Sequence, residues 1–239
     1  VLVHDPATGQ TACVDAGDAA AYEAALADKG WSLTQIWITH HHADHTAGLI
    51  KLKEGSGAKV FGPVSTRTPI AGIDEQLKEG DSFSFGGSEI QVLETPGHTL
   101  DMLNFYLAEQ GVVFTGDTLF ALGCGRLFEG SPAQMWSSIS KLMALPDETI
   151  VYCSHEYTKA NADFALSVDP DNAALVQRAS EVENQRAANE PTVPTNIGLE
   201  RATNPFARPH DKAIRSHLGM EAATDEDVFA EIRKLKDNF

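Results

Sequence analysis

The sequence contains the stretch Thr39-His40-His41-His42-Ala43-Asp44-His45, which closes a predicted strand over residues 33–39. Four of its residues are candidate metal ligands: His40, His42, Asp44 and His45. Imidazole nitrogens and carboxylate oxygens suit zinc and neighbouring divalent ions, and a cluster without cysteine does not suit a structural zinc finger. α/β proteins place reactive side chains on loops of this kind, because the sheet holds the loop rigid. The stretch therefore predicts an α/β fold with a metal site at a strand end.

Candidate ligands also follow three later predicted strands. His98 comes after a Thr-Pro-Gly turn, Asp117 after Thr-Gly, and His155 after Tyr-Cys-Ser. A single histidine at a strand end is usually structural or solvated, but these positions match the first cluster in kind and strengthen the metal interpretation. His41 stands between two candidate ligands, so its ring is expected to point elsewhere.

Seven ligands are too many for one tetrahedral ion, but they fit two ions that share a bridging carboxylate. Asp117 is expected to span both ions. The other six divide between the two ions as follows: His40, His42 and His98 on the first, and Asp44, His45 and His155 on the second. Two cations about 3.5–4 Å apart lower the pKa of a water between them, so a hydroxide forms near neutral pH. The sequence thus predicts a hydrolase whose nucleophile is a metal-bridging water, with Asp44 and Asp117 as its catalytic carboxylates.

The composition bounds the partners of the chain. Its 239 residues, 42% of them hydrophobic, are enough to build a real core, and the formal net charge is -16. A broad nucleic-acid or anionic-membrane surface needs positive potential, so neither partner is expected. Three cysteines without a CxxC pair indicate reduced thiols and the cytoplasm. We see no membrane span or export signal, and a monomer is the expected state.

The pattern of the chain changes near residue 158. Before it, short β-branched runs alternate with predicted helices over residues 19–29, 47–53 and 132–144. After it the predicted elements are helices, over residues 160–168, 173–188, 212–218 and 225–236. Residues 190–209 hold four prolines and are expected to be an irregular connection. The predicted domains are a catalytic α/β domain over 1–158 and a small, all-helical, substrate-binding domain over 159–239.

The ligand pattern resembles the metallo-β-lactamase superfamily, which implies a four-layer αβ/βα sandwich with the site at one edge of the sheets. Further segments look like the glyoxalase II (hydroxyacylglutathione hydrolase) branch of that superfamily: residues 116–120, 123–130, 153–158, 204–206 and 236–239. The resemblance covers nearly the whole chain. Some relatives have a tyrosine where Phe128 stands, and the usual first strand is missing before Val1.

This resemblance implies hydrolysis of S-D-lactoylglutathione to glutathione and D-lactate at two divalent metal ions, with zinc expected first and iron or manganese as alternatives. Gly123 and Gly125 would let backbone N–H groups approach a peptide-like ligand. Arg233 and Lys236 would meet the glycine carboxylate of the glutathione moiety. The full set of expected substrate contacts is Arg126, Leu127, Phe128, His155, Glu156, Tyr157, Arg233 and Lys236.

Four other functions compete with this interpretation. A β-lactamase of this fold generally lacks the bridging aspartate that Asp117 supplies. A tRNA-processing nuclease would bind a polyanion poorly at a net charge of -16. A mononuclear-iron persulfide dioxygenase would leave Arg233 and Lys236 without a clear purpose. A non-catalytic metal-binding module stays open, although a dinuclear site is a poor storage device.

Overall fold

The computed structural model describes residues 1–65 and 67–239, which fall into two compact units. Unit 1 comprises Val1–Glu94 and Asp101–Gln110. Unit 2 comprises Thr95–Leu100 and Gly111–Phe239. The predicted domain division at residue 158 follows a different criterion, the change in sequence pattern, and stays a prediction.

Unit 1 is built from short strands and three helices. Its elements are β1 (Leu2–His4), β2 (Thr11–Val14), α1 (Ala19–Lys29), β3 (Gln35–Trp37), α2 (Ala43–Thr46), α3 (Leu49–Ser56), β4 (Lys59–Pro63), β5 (Glu75–Leu77), β6 (Ser82–Phe85), β7 (Ser88–Glu94) and β8 (Leu103–Leu107). Strands β1 to β5 form one sheet in sequence order, with β1 and β2 antiparallel and the later pairs parallel. Strands β6, β7 and β8 are antiparallel neighbours.

Strand β3 lies at the centre of unit 1 because both of its faces are buried. Alternate residues of a strand point to opposite faces. Ile36 and Ile38 pack into the cluster that includes Leu49 and Leu52 of α3. On the other face, Trp37 meets the phenylalanine rings of β6 and β8, with centroid distances of 5.2–5.8 Å. The loop that follows β3 is therefore anchored by packing on both sides.

Unit 2 combines a few strands with the helical tail. Its elements are β9 (Val112–Gly116), β10 (Leu119–Phe120), β11 (Gly123–Cys124), α4 (Pro132–Met143), β12 (Ile150–Cys153), α5 (Thr158–Val168), α6 (Ala173–Ala187), β13 (Thr195–Asn196), α7 (Ile197–Thr203), a 3-10 helix (Pro205–Ala207), α8 (Lys212–Leu218) and α9 (Asp225–Asp237). Strand β12 runs parallel to β9 and antiparallel to β13, and β10 pairs with β11. Phe206 contacts Phe164 and Phe229, which joins α5 and α9 through the 3-10 helix.

The predicted elements are confirmed where local signals are strong. Helix α1 spans residues 19–29 as expected, because Asp18 caps its first turn and Gly30 ends it with φ 67°. The expectation for residues 190–209 is wrong in part, since they contain β13, α7 and the 3-10 helix. Asn196 caps α7 by accepting from the Leu199 N–H, and Pro205 occupies the first turn of the 3-10 helix, where its missing N–H does no harm.

Every helix in residues 1–65 and 67–239 is too short or too polar to cross a lipid bilayer.

Candidate metal centre

The first group of candidate ligands lies in unit 1, on the loop after β3 and in the single turn of α2. The His42 carbonyl accepts from the His45 N–H at 3.0 Å, which closes the turn. His40 Nε2 lies 3.1 Å from His42 Nδ1, and His45 Nε2 lies 3.6 Å from Asp44 Oδ2. The rings of His40 and His45 are buried, whereas the Asp44 side chain is exposed. The structure therefore brings all four predicted ligands of this stretch together.

A buried carboxylate that the motif does not contain organises this group. Asp15 follows β2, and its backbone has φ 61°. Its Oδ1 accepts from the Thr39 N–H at 2.8 Å, and both oxygens lie 3.0 Å from Thr39 Oγ1. Its Oδ2 also lies 2.7 Å from His45 Nδ1. The Asp15 carboxylate thus contacts both Thr39, which precedes the candidate ligands, and His45, the last of them.

These bonds fix the tautomers of two histidines. An ionised carboxylate only accepts, so His45 must donate its Nδ1–H to Asp15. Thr39 has one hydroxyl proton and gives it to Asp15, so Thr39 Oγ1 accepts from His40 Nδ1, which lies 2.9 Å away. Both rings then carry their lone pair on Nε2. A hydrogen-bonded Nδ1–H with a lone pair on Nε2 is the arrangement of a metal-binding histidine.

Close backbone packing holds the turn of α2 against the loop after β2. The Ala16 N–H donates to the His45 carbonyl and the Gly48 N–H donates to the Ala16 carbonyl, both at 2.7 Å. A Cβ on Gly17 would lie 1.8 Å from the Asp44 carbonyl oxygen. Only glycine fits at that position, because the neighbouring atom is rigid backbone.

The second group of candidate ligands lies in unit 2. Asp117 follows β9 and His155 follows β12, and the parallel register Cys153↔Gly116 places these strand ends side by side. Asp117 Oδ2 lies 3.3 Å from His155 Nε2 and 3.4 Å from His98 Nε2. A single carboxylate oxygen is therefore shared between two imidazole nitrogens.

The loop after β11 holds His98 in place. His98 Nδ1 lies 2.7 Å from the Arg126 carbonyl oxygen, which only accepts, so the lone pair of this ring is on Nε2 as well. The Phe128 N–H donates back to the His98 carbonyl at 3.2 Å. A Cβ on Gly125 would lie 2.0 Å from the Asp117 carbonyl oxygen and 3.1 Å from His98 Nδ1. The glycine is thus required by close approach to both ligands.

The spacing of the donor atoms fits metal coordination. Two ligand atoms on one tetrahedral ion, each bonded at about 2.0–2.2 Å, lie roughly 3.3–3.5 Å apart. The measured nitrogen and oxygen separations within the two groups are 3.1, 3.3, 3.4 and 3.6 Å. With the lone pairs of His40, His45 and His98 on Nε2, each group suits divalent ions.

His41 is turned away from its neighbours on the loop. Its Nδ1 lies 3.0 Å from both carboxylate oxygens of Asp101. The chain bends at His41, and the His41 ring pairs with Asp101.

The expected substrate contacts that precede the helical tail lie mostly at the surface of unit 2. Phe128 is 62% exposed and meets the His98 ring edge-on at 5.2 Å. The Tyr157 ring stacks on His155 at 4.9 Å. Leu127 is half-buried. Glu156 accepts from the Thr192 N–H at 2.8 Å, so its carboxylate is engaged by the helical tail.

Two positively charged side chains of α9, Arg233 and Lys236, are expected to contact the substrate, and they differ in exposure. Arg233 is only 5% exposed, and its guanidinium donates to the Cys124 carbonyl and to Asp237 Oδ1, both at 3.0 Å. Arg126 also reaches Asp237 Oδ1, at 3.4 Å. Lys236 is half-buried and donates to the Ala160 carbonyl at 2.8 Å. Burial, reinforced by the Arg233 charge, lowers the pKa of Lys236 from its ordinary value.

The three cysteines are free and buried, which removes them as nucleophiles. Burial raises the pKa of Cys153 to about 11 and that of Cys13 to about 12. Burial also raises the pKa of Cys124. The thiolate is the reactive form, so none of these groups reacts near neutral pH.

Asp15 is the residue that the sequence analysis missed. It is 24 residues from Thr39 and 30 from His45, so no local spacing connects them. The sequence offered only the position of Asp15 as a signal. Asp15 directly follows β2, which pairs in parallel with β3, and parallel neighbours end at the same edge of a sheet.

Comparisons with known proteins match the chain in two segments. A family model described as metallo-beta-lactamase superfamily matches residues 1–155, and one described as hydroxyacylglutathione hydrolase C-terminus matches residues 156–239. A hydroxyacylglutathione hydrolase from Brucella anthropi is 56% identical over 239 residues, covering 100% of this chain and 92% of that protein.

Two solved structures share the architecture. ETHE1 from Myxococcus xanthus superposes with a TM-score of 0.69 at 27% identity, covering 98% of this chain and 83% of that one. TTHA1623 in a di-iron-bound form gives a TM-score of 0.61 at 25% identity, covering 86% of this chain and 93% of that one.

Replacing Asp15 tests the control of the tautomers. In Asp15→Asn one carboxylate oxygen becomes an amide N–H₂, so the side chain can no longer accept from Thr39 and His45 together. We expect zinc affinity to fall about 10–100-fold, the usual cost of losing such a partner. Competition with a chromophoric chelator measures it. The control is Asp18→Asn, which keeps the cap of α1. An Asp15→Asn protein with the affinity of the parent would contradict this account.

Proposed function

The chain belongs to the hydroxyacylglutathione hydrolase family of the metallo-β-lactamase superfamily, and we propose that it hydrolyses S-D-lactoylglutathione to glutathione and D-lactate. The predicted α/β fold with a C-terminal helical region is confirmed. The observation that carries the proposal is the position of Asp117 Oδ2, 3.4 Å from His98 Nε2 and 3.3 Å from His155 Nε2. A carboxylate shared in this way suits a bridge between two ions.

We assign the ligands of two divalent ions on the chemistry of the donor atoms. Asp117 is the shared ligand. The proposed division is His40, His42 and His98 for the first ion, and Asp44, His45 and His155 for the second. The lone pairs of His40, His45 and His98 on Nε2 support it, as does the di-iron-bound form of TTHA1623. Zinc suits this nitrogen and oxygen set best, and iron or manganese would also fit.

When bound, two such ions would lower the pKa of a water between them and polarise the thioester carbonyl. Hydrolysis would consume one water: its oxygen would bond to the carbonyl carbon, the C–S bond would break with the sulfur leaving as a thiolate, and the water's protons would pass to that thiolate and to solvent. Glutathione sulfur needs no protein acid as a leaving group, because a thiol pKa of about 8.5 makes its thiolate stable enough. The buried cysteines take no part. The protein's task is to hold the ligands and to keep the Nε2 lone pairs of His40, His45 and His98 available to the ions.

The substrate's peptide part would lie along unit 2. Gly125 leaves room for a close approach, and Tyr157 and Phe128 present exposed rings beside His155 and His98. A glutathione moiety is anionic, and a protein of net charge -16 needs local cations to bind it. The proposed contacts are Arg126, Leu127, Phe128, His155, Glu156, Tyr157, Arg233 and Lys236.

The buried free thiols suit a reducing compartment, and we propose that the enzyme acts in the cytoplasm as a monomer on this small-molecule thioester.

The direct test is turnover of S-D-lactoylglutathione on protein whose metals have been counted in the same preparation. We expect rapid loss of the thioester absorbance with close to two metals per chain, and loss of activity after thorough chelation. The control substrate carries the same lactoyl group on N-acetylcysteine, which lacks both the glutamyl and glycyl parts and should turn over poorly.

Other outcomes of that test separate the alternatives. Two metals without turnover would reject the substrate and keep the metal site. A single iron together with oxygen consumption on a glutathione persulfide would favour the dioxygenase.

The pH dependence of KM tests Lys236. Its ammonium binds a carboxylate, and burial lowers its pKa, so binding is present at neutral pH and is lost as pH rises through that lowered value. We expect KM to increase at a pH below the ordinary lysine range, at a nearly constant kcat. Lys236→Ala should raise KM about tenfold at neutral pH and remove the alkaline rise. Lys236→Arg stays charged and should also remove the rise; a KM unchanged in Lys236→Ala would exclude the contact.

A further inference from the structure

The β10–β11 hairpin, residues 119–124 and here called the turn, is bonded through five backbone groups to side chains of the helical tail. The carbonyls of residues 120 and 123 accept from Asn204 Nδ2 at 3.3 and 3.0 Å. The carbonyl of residue 121 accepts from Asn161 Nδ2 at 3.1 Å. The N–H of residue 122 donates to Glu200 Oε2 at 2.9 Å, and the carbonyl of residue 124 accepts from Arg233 at 3.0 Å. We call these four side chains the turn clamp.

Glu200 is the centre of the turn clamp. Its side chain is completely buried, and its two oxygens face different partners. Oε1 accepts from Arg178 at 2.5 Å and from Thr195 Oγ1 at 2.6 Å, which ties it to the tail. Oε2 accepts from the Leu122 N–H and from Asn204 Nδ2, both at 2.9 Å. The buried carboxylate therefore joins the helices of the tail to the turn.

The turn has a conformation that its own sequence does not favour. Leu122 has φ 59°, in the left-handed region that branched and bulky residues seldom adopt. A Cβ on Gly123 would lie 2.5 Å from Asn161 Nδ2. A backbone of this kind persists when the surrounding structure imposes it, and here the turn clamp does so.

The turn leads directly to two candidate ligands. It begins two residues after Asp117, and it ends at Cys124, next to Gly125. A Cβ on Gly125 would lie 2.0 Å from the Asp117 carbonyl oxygen, so the two backbones are in contact. The following residue, Arg126, supplies the carbonyl that holds His98 Nδ1 at 2.7 Å. A shift of the turn would therefore move Asp117 and His98 together.

We propose that Asn161, Glu200, Asn204 and Arg233 are positioning residues for the metal site, acting through the β10–β11 turn on Asp117 and His98. The helical tail then has a second task besides substrate binding, and Arg233 contributes mainly through the Cys124 carbonyl. The proposal rests on the proposed metal ligands. Glu200 is held in place for this role by its buried ion pair with Arg178.

Asn204→Ala is the test variant, because it removes two bonds to the turn and leaves every proposed ligand and substrate contact in place. We expect faster hydrogen exchange of residues 117–126, zinc affinity lowered about tenfold, and a lower kcat with KM unchanged. If this variant does not fold, Asn161→Ala takes its place. It removes one hydrogen bond to the turn and is expected to show the same changes with smaller magnitude.

The matched control is Arg208→Gln, which breaks partly buried ion pairs to Asp169 and Asp211 in the same unit without touching the turn. It should lower the free energy of unfolding while leaving zinc affinity and exchange of residues 117–126 unchanged. The proposal is overturned if Asn204→Ala keeps parental zinc affinity, or if the control lowers it equally. A parent protein that binds no zinc refutes the proposed function instead; the exchange comparison then still decides whether the side chains hold the turn.

Discussion

The buried carboxylate of Asp15 is the interaction on which the candidate ligands of unit 1 depend. It accepts from Thr39 and from His45 at once, and through the Thr39 hydroxyl it sets the proton on His40. A histidine without such a partner can carry its proton on either nitrogen, and only one of these tautomers presents Nε2 to a metal. The stretch from His40 to His45 supplies candidate ligands, and Asp15 sets the tautomers of His40 and His45 that an ion would need.

The candidate ligands of unit 2 are positioned by backbone groups for the same purpose. A main-chain carbonyl, that of Arg126, fixes the His98 tautomer, and Gly125 allows the chain to pass against Asp117. Backbone groups are only as well placed as the loop that carries them. The helical tail bonds to the backbone of the β10–β11 hairpin, which follows Asp117, through Glu200 and Asn204. The tail and the proposed metal ligands of unit 2 therefore belong to one hydrogen-bonded arrangement.

The predictable parts of this protein are those encoded locally. The ligand stretch, the strand ends at His98 and Asp117, and a capped helix such as α1 are visible because the deciding residues are neighbours in sequence. The contact of Leu122 with Glu200 spans 78 residues, so only the folded chain reveals it. The prolines of residues 190–209 led to a prediction of irregular structure that was wrong in part. Tertiary packing and the Asn196 cap outweigh this weak local preference.

We propose that Asp117 binds two metal ions at once, and anomalous scattering from crystals of the zinc-loaded protein measures this directly. As this proposal requires, we expect two zinc peaks about 3.5–4 Å apart, with Asp117 bound to both ions, His98 to one and His155 to the other. One peak bound by His40, His42 and His98 alone, with Asp117 outside its coordination sphere, would contradict it.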